Sequence, residues 1–205
     1  MKKLYVVRHG ETNWNLEGRT QGIKDSQLTD DGLLQAQLLA KRLIEEKIEV
    51  IYSSCLLRAK STAEIISKIL KLPYYCDKNL NEMNFGQWEG LTNEQILKLY
   101  PSELKTWRNY PHETCIPSGE KLISVQRRIV EFVENVLKNT KEKNILIISH
   151  STIIKLLLLN VLNMDICNYY RLKQENCCIN IIEFRNYGPV LLKYNETGHI
   201  QHNSR

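Results

Sequence analysis

The stretch Leu4-Tyr5-Val6-Val7-Arg8-His9-Gly10-Glu11-Thr12 constrains the fold more than any other in the chain. A short apolar run, rich in β-branched and aromatic residues and stopped by a polar cluster with a glycine, reads as a buried strand that ends at a loop. Arg8 and His9 then stand at its carboxyl edge, which in open α/β sheets is where ligands bind. A cation and an imidazole delivered there together suit an anion. Gly10 lets the backbone turn sharply and come close to a ligand, which a residue with a Cβ would hinder.

Beyond this strand, helices and strands alternate along most of the chain. Asn13 to Gly22 is mostly polar and carries neither a helical nor a strand period. Thr29 reads as the N-cap of a helix with Leu33, Ala36, Ala40 and Leu43 on its inner face, running to about Glu46. Glu49 to Ser53 is a second strand, and Ser53-Ser54-Cys55-Leu56-Leu57-Arg58-Ala59 leads from its end into a helix. That helix is expected to bury Ala59, Ala63, Ile66 and Leu70 and to stop before Pro73. Tyr74 to Cys76 is a third, short strand. The stretch from Leu80 to Pro117 breaks the pattern. Thr92 and Gln95 form a capping box for a short helix ending near Tyr100, and Pro101 opens another that carries Trp107 and Arg108.

Ser118 is expected to cap a long amphipathic helix with Leu122, Val125, Ile129, Phe132, Val136 and Leu137 on one face. Ile145 to Ser149 is the most apolar strand and ends in His150, Ser151 and Thr152. The helix after it, Ile153 to Leu162, is apolar nearly all round and reads as core. Asn180 to Phe184 and Val190 to Tyr194 close the sheet as a hairpin, and the polar end from Gly198 to Arg205 is expected to be disordered. This alternation predicts an α/β fold, a mostly parallel sheet with helices on both faces. Residues 1–205 form a single domain, with a helical insertion at about 80–117 as a lid over the pocket.

Composition removes several function classes. With 42% hydrophobic and 25% charged residues the chain is ordinary globular material, not a disordered segment. The net charge of +5 is spread along the chain, which fits acidic small molecules and argues against nucleic acid as a partner. The six cysteines form no C-x-x-C pair and no metal-ligand spacing, so they read as reduced core residues of a cytoplasmic protein. No cysteine is followed by arginine at the six-residue offset of a cysteine-based phosphate loop. Behind Met1-Lys2-Lys3 the apolar run is too short for a secretory signal, and no stretch approaches the ~20 apolar residues of a membrane span. No cofactor and no metal are expected, and the chain is expected to act as a monomer or homodimer.

Three strand ends carry polar residues that a fold does not require: Arg8-His9, Ser53 to Arg58, and His150-Ser151. Parallel strands bring their carboxyl ends to one edge, so these distant segments can meet. Two histidines and two arginines around one pocket suit a phosphoryl group, because the arginine fork binds two of its oxygens at once. One imidazole can be the nucleophile if its other nitrogen is held as a donor. A carboxylic acid must then protonate the leaving alkoxide, and Glu82 at the mouth of the insertion is the candidate. Trp88, Tyr100, Trp107, Tyr110 and His112 are candidates for a stacking wall, with packing inside the insertion the stronger reading.

The Leu4-to-Thr12 stretch with Asn15 resembles the signature of the histidine phosphatase superfamily, the phosphoglycerate-mutase-like enzymes. Ile51-Tyr52-Ser53-Ser54 through Arg58-Ala59 and Thr62-Ala63, the Leu80-to-Gly90 stretch, Ser118-Gly119-Glu120 and Ser149-His150 are similar to further blocks, in the family's order. The resemblance implies a three-layer α/β/α sandwich and a phosphohistidine intermediate on His9, with no metal. It implies that Arg8, Arg58 and His150 hold the transferring phosphoryl group and that Glu82 is the proton donor. It places Asn15, Gln21, Gly22 and Ser151 against substrate. The expected reaction is hydrolysis of a small phosphomonoester: α-ribazole phosphate, a sugar phosphate or a phosphoglycerate. The alternatives are a cofactor-dependent phosphoglycerate mutase and a non-catalytic phosphate-binding protein. Two departures from the mutases favour hydrolysis: Arg108 stands alone where they carry paired arginines, and Ser151-Thr152 follows His150 where they have Gly-Asn.

Overall fold

The computed structural model describes residues 1–201. Its centre is one six-stranded sheet of order β3-β2-β4-β1-β5-β6. The strands are β1 (Lys2–Arg8), β2 (Val50–Ser54), β3 (Tyr74–Asp77), β4 (Asn144–Ser149), β5 (Ile179–Arg185) and β6 (Gly188–Glu196). The pairs β1–β4, β2–β4 and β2–β3 are parallel, while β5 runs antiparallel to β1 and forms the expected hairpin with β6.

Side chains alternate across the strands, and each face has its own core. Leu4 and Val6 of β1 join Ile145 and Ile147 of β4 under α6 (Leu122–Asn139) and α7 (Ser151–Val161). Tyr5, Val7, Leu146 and Ile148 face the other way, against α2 (Asp30–Leu43) and α3 (Leu57–Leu70). Burial on both sides explains why the central strands read as unbroken apolar runs. Between β3 and α6 the chain adds α4 (Asn93–Leu99) and α5 (Pro101–Asn109) and no strand. Thr92 and Gln95 close the capping box of α4, and Pro101 opens α5 as its first residue.

Several local expectations are corrected. Thr12 and Asn15 close a capping box on a one-turn helix, α1 (Asn13–Leu16), too short to show a period in sequence. Leu33 is 40% exposed, because α2 turns Leu39 inward beside Ala36, Ala40 and Leu43. Leu70 is only partly buried. Ser118 does not cap α6: it has a φ of 60°, and Lys121 is the N-cap, with no side-chain bond. The reason is that Glu120 is tied to Asn84 through its own N–H (2.8 Å) and its carboxylate (2.7 Å), which holds the chain extended past Ser118.

The six thiols are free, but only Cys177 and Cys178 lie in the core; Cys76, Cys115 and Cys167 are exposed. Gly198–Gln201 forms a short helix, α8, where disorder was expected, and residues 202–205 fall outside the described residues. Among the described residues no helix is long and apolar enough to cross a membrane.

Candidate active site

Register creates the site. Arg8 pairs with Ser149 across β1 and β4, so His9 and His150 are the next residues on two adjacent parallel strands. The His9 N–H continues the ladder to the Ser149 carbonyl at 3.0 Å. Neighbouring strands lie about 4.8 Å apart, and the two imidazole centroids are 5.1 Å apart. The loop after His9 lies directly on the first turn of α2, where a Cβ on Gly10 would come within 2.6 Å of the Gly32 carbonyl oxygen.

The hydrogen bonds assign the protons. His9 Nδ1 lies 2.7 Å from the Gly10 carbonyl, which can only accept, so Nδ1 donates and Nε2 keeps its lone pair. Burial and the Arg58 and Arg8 charges hold the His9 imidazole well below its ordinary pKa, in the neutral form. His150 Nε2 lies 2.7 Å from the Ser54 hydroxyl, which is 2.9 Å from Asn81 Oδ1. That Oδ1 also accepts the Cys55 N–H at 2.8 Å, so it is the acceptor for the Ser54 proton. Nε2 of His150 is therefore the donor to Ser54, and its buried Nδ1 has no partner among the described residues. Burial and the Arg58 charge push the His150 pKa well down.

The two arginines are held by carbonyl oxygens. Arg8 donates to Gln174 O at 2.7 Å; Arg58 donates to Gly22 O at 2.7 Å and to Lys24 O at 2.9 Å, with Asp25 at 3.4 Å. Their Nε atoms are buried and unpartnered among the described residues. Burial lowers both guanidinium pKa values, that of Arg58 to about 10; arginine side chains stay charged in proteins.

A cleft of about 240 Å³ opens over this floor, lined among others by Arg8, His9, Arg58 and Glu82. His150 lies fully buried beside His9 and does not line it. Glu82 accepts the Met83 N–H at 2.8 Å and the Thr152 N–H at 3.3 Å, which ties its carboxylate to the start of α7. Asn15 and Ser151 also line the cleft. Thr12 and Asn176 occupy the Asn15 carbonyl oxygen, which leaves its amide donor for the cleft. Gln21 reaches the cleft, yet its amide nitrogen donates to Thr12 and its oxygen accepts from Ser26. Gly22 has a φ of 60°, and a Cβ there would collide with the Glu89 carboxylate. Glu89 itself accepts from the Ile23 and Phe85 N–H groups, which makes it a clamp between loop and insertion.

Of the aromatic candidates only Trp107 lines the cleft, beside Phe85, Tyr169 and Tyr170. Trp88 is buried against it, Tyr110 is exposed, and His112 lines a separate hollow. Sequence reasoning missed Tyr169, Tyr170, Thr152, Arg19 and Lys155. Lys155 sits in the helix read as pure core, and a lone lysine in an apolar stripe was its signal. Its ammonium lies 4.5 Å from the Tyr169 ring centre, and burial lowers its pKa to about 8. Among the described residues no cluster of three or more His, Cys, Asp or Glu side chains could hold a metal.

Fold and cleft together define an α/β enzyme of phosphate esters. The chain matches the model of the histidine phosphatase superfamily, branch 1, over residues 4–197, and it belongs to that family. It is 33% identical to phosphoserine phosphatase 1 of Hydrogenobacter thermophilus, over 98% of this chain and 95% of that one. It is also 33% identical to a probable phosphoglycerate mutase, GpmB, of Yersinia pestis, again over 98% and 95%. Among solved structures it is similar to Bacillus stearothermophilus YhfR, with a TM-score of 0.92 and 31% identity over 98% of this chain and 100% of that one. A phosphoserine phosphatase mutant from Entamoeba histolytica in complex with phosphoserine matches with a TM-score of 0.85 and 31% identity, over 97% and 99%.

Proposed function

We propose that this phosphomonoester hydrolase works through a phosphohistidine on His9 and needs no metal ion. The observation that carries the reading is the bond from His9 Nδ1 to the Gly10 carbonyl, which reserves Nε2 for attack. Arg8 and Arg58 supply about two positive charges against the roughly −2 of a phosphomonoester at neutral pH, and the unpartnered Nε atoms are donors suited to its oxygens. His150, buried 5.1 Å behind His9 with Nδ1 unpartnered among the described residues, would add a third donor only on taking up a proton as the dianion binds.

In the first step Nε2 of His9 attacks phosphorus, the ester P–O bond breaks, and Glu82 protonates the departing alkoxide. In the second step the Glu82 carboxylate takes a proton from water, the water oxygen attacks phosphorus, and the N–P bond breaks. Phosphate leaves and His9 returns to its starting state. The start of α7 at Ser151 adds its N-terminal dipole to the anion site. Residues 80–117 act as the lid, contributing Phe85 and Trp107 to the wall. Arg108 is exposed and stands as a single arginine beside Trp107 and Tyr170 in the hollow that adjoins the cleft, which favours hydrolysis over mutase chemistry.

The test is phosphate release in EDTA, together with alkaline SDS quenching of enzyme mixed with a ³²P-labelled ester. Full activity in EDTA and an acid-labile label that His9→Ala lacks are expected, with activity down by about 10³-fold or more in that variant. Activity lost in EDTA and restored only by added metal would sink the metal-free mechanism. Interconversion of 3- and 2-phosphoglycerate without phosphate release would replace hydrolysis by a mutase reaction.

A further inference from the structure

We infer that Lys155 is a specificity residue that holds a carboxylate on the substrate, so that the preferred esters are small phosphorylated acids. This rests on the phosphatase reading of the cleft and names the substrate class of that same site.

Lys155 lies on α7 one turn beyond Thr152, which is itself bonded to Glu82. Long side chains on a helix lean back toward its N-terminus, and that end of α7 opens on the cleft, which Lys155 lines. The ammonium packs against aromatic rings, and the carboxylate whose charge it feels is that of Glu82, beyond ion-pair distance. It stands over the Tyr169 and Tyr170 rings at 4.5 and 5.9 Å, and it makes no ion pair among the described residues.

Charge counting gives the ammonium a purpose. Arg8 and Arg58 already match the phosphoryl dianion, and Glu82 is committed to the leaving group. Arg19, the other cation on the wall, is occupied by Glu17 at 2.5 Å and by the Gly90 carbonyl at 2.7 Å. Lys155 is thus a positive charge in excess of what a phosphate alone needs, half-buried where its attraction is poorly screened. A second anionic group on the ester is the chemistry that answers it. A cleft of about 240 Å³ is room enough for a small metabolite.

Two ester pairs differing in the carboxylate test this: phosphoserine against phosphoethanolamine, and 3-phosphoglycerate against glycerol 3-phosphate. The wild-type protein is expected to favour the acid of each pair in kcat/KM. Lys155→Met keeps the stem over the tyrosines and removes the charge. It should cost the acids about 10- to 100-fold, mainly through KM, and leave glycerol 3-phosphate within about twofold; Lys155→Arg should retain most of the preference. Equal losses on both members of a pair would make Lys155 a packing residue. A wild-type enzyme indifferent to the carboxylate would equally overturn the proposal. Release from none of the four esters, with no label on His9, would instead bring down the phosphatase reading itself.

Discussion

The floor and the wall of the cleft are built by different physics. The floor is centred on the ends of β1 and β4, where ladder register fixes His9 beside His150. It takes Arg58 from the start of α3 and Glu82 from the chain after β3, each tied to backbone groups. The wall comes from loops and helix faces, where Trp107 packs edge-to-face on Phe85 and tilted against Tyr169, with ring centroids 5.8 and 5.3 Å apart. A floor held by backbone bonds permits one chemistry. A wall held by side-chain packing can change and so select which ester reaches that chemistry. Floor lesions should therefore strike all esters through the phosphoryl group, whereas wall lesions should separate one ester from another.

The sharpest break in that comparison is at Glu82, which belongs to the floor but acts on the leaving group. Glu82→Gln should lower turnover of alkyl esters by about 10²- to 10⁴-fold and that of p-nitrophenyl phosphate much less, since nitrophenolate leaves without a proton. Equal losses would reduce Glu82 to a clamp on Met83 and Thr152. A smaller effect is expected at Asn81, which touches the floor only through Ser54. Asn81→Ala removes the acceptor that makes Ser54 receive a proton from His150. Loss of one buried hydrogen bond should cost roughly tenfold in kcat/KM, by a similar factor on every ester. Different factors for acids and neutral esters would place Asn81 with the wall.

The smallest effect is on stability. Burial holds His9 and His150 well below the ordinary imidazole pKa when folded, whereas the unfolded chain titrates near 6.5. Below about pH 6.5 the unfolded state therefore binds more protons, and stability must fall with pH. Thermal unfolding from pH 8 to 5 should show Tm dropping below that point, with added phosphate, which pairs with the cationic imidazoles, reducing the drop. A Tm insensitive to pH in this range would mean that the two imidazoles titrate in the folded protein as they do in the unfolded chain.

Much of the floor was legible in the sequence. Arg8, His9 and His150 sit where apolar runs stop, and a parallel sheet brings such stops to one edge. Arg58 and Glu82 were reached through the residues around them and through family resemblance. The wall was far less legible. Trp107 was one aromatic among five candidates, while Tyr169 and Tyr170 lie in a short helical stretch with no periodic signal. The one-turn helix after Thr12 and the late start of α6 escaped for a related reason: both are set by paired bonds at one place, Thr12 with Asn15 and Asn84 with Glu120, not by a repeating pattern.

The sequence by itself determined the sheet, the two cores and which residues are candidates for the reacting groups, because hydrophobic periodicity is local and strand ends are marked where it stops. Tertiary structure alone decided which ring nitrogen of His150 is the donor, since that depends on a hydroxyl 96 positions away and on the amide behind it. It also decided that Lys155, in an apolar helix, faces the cleft over two tyrosine rings and makes no ion pair among the described residues. A residue's type travels with the sequence, but its protonation and its partners depend on the distant segments that folding brings against it.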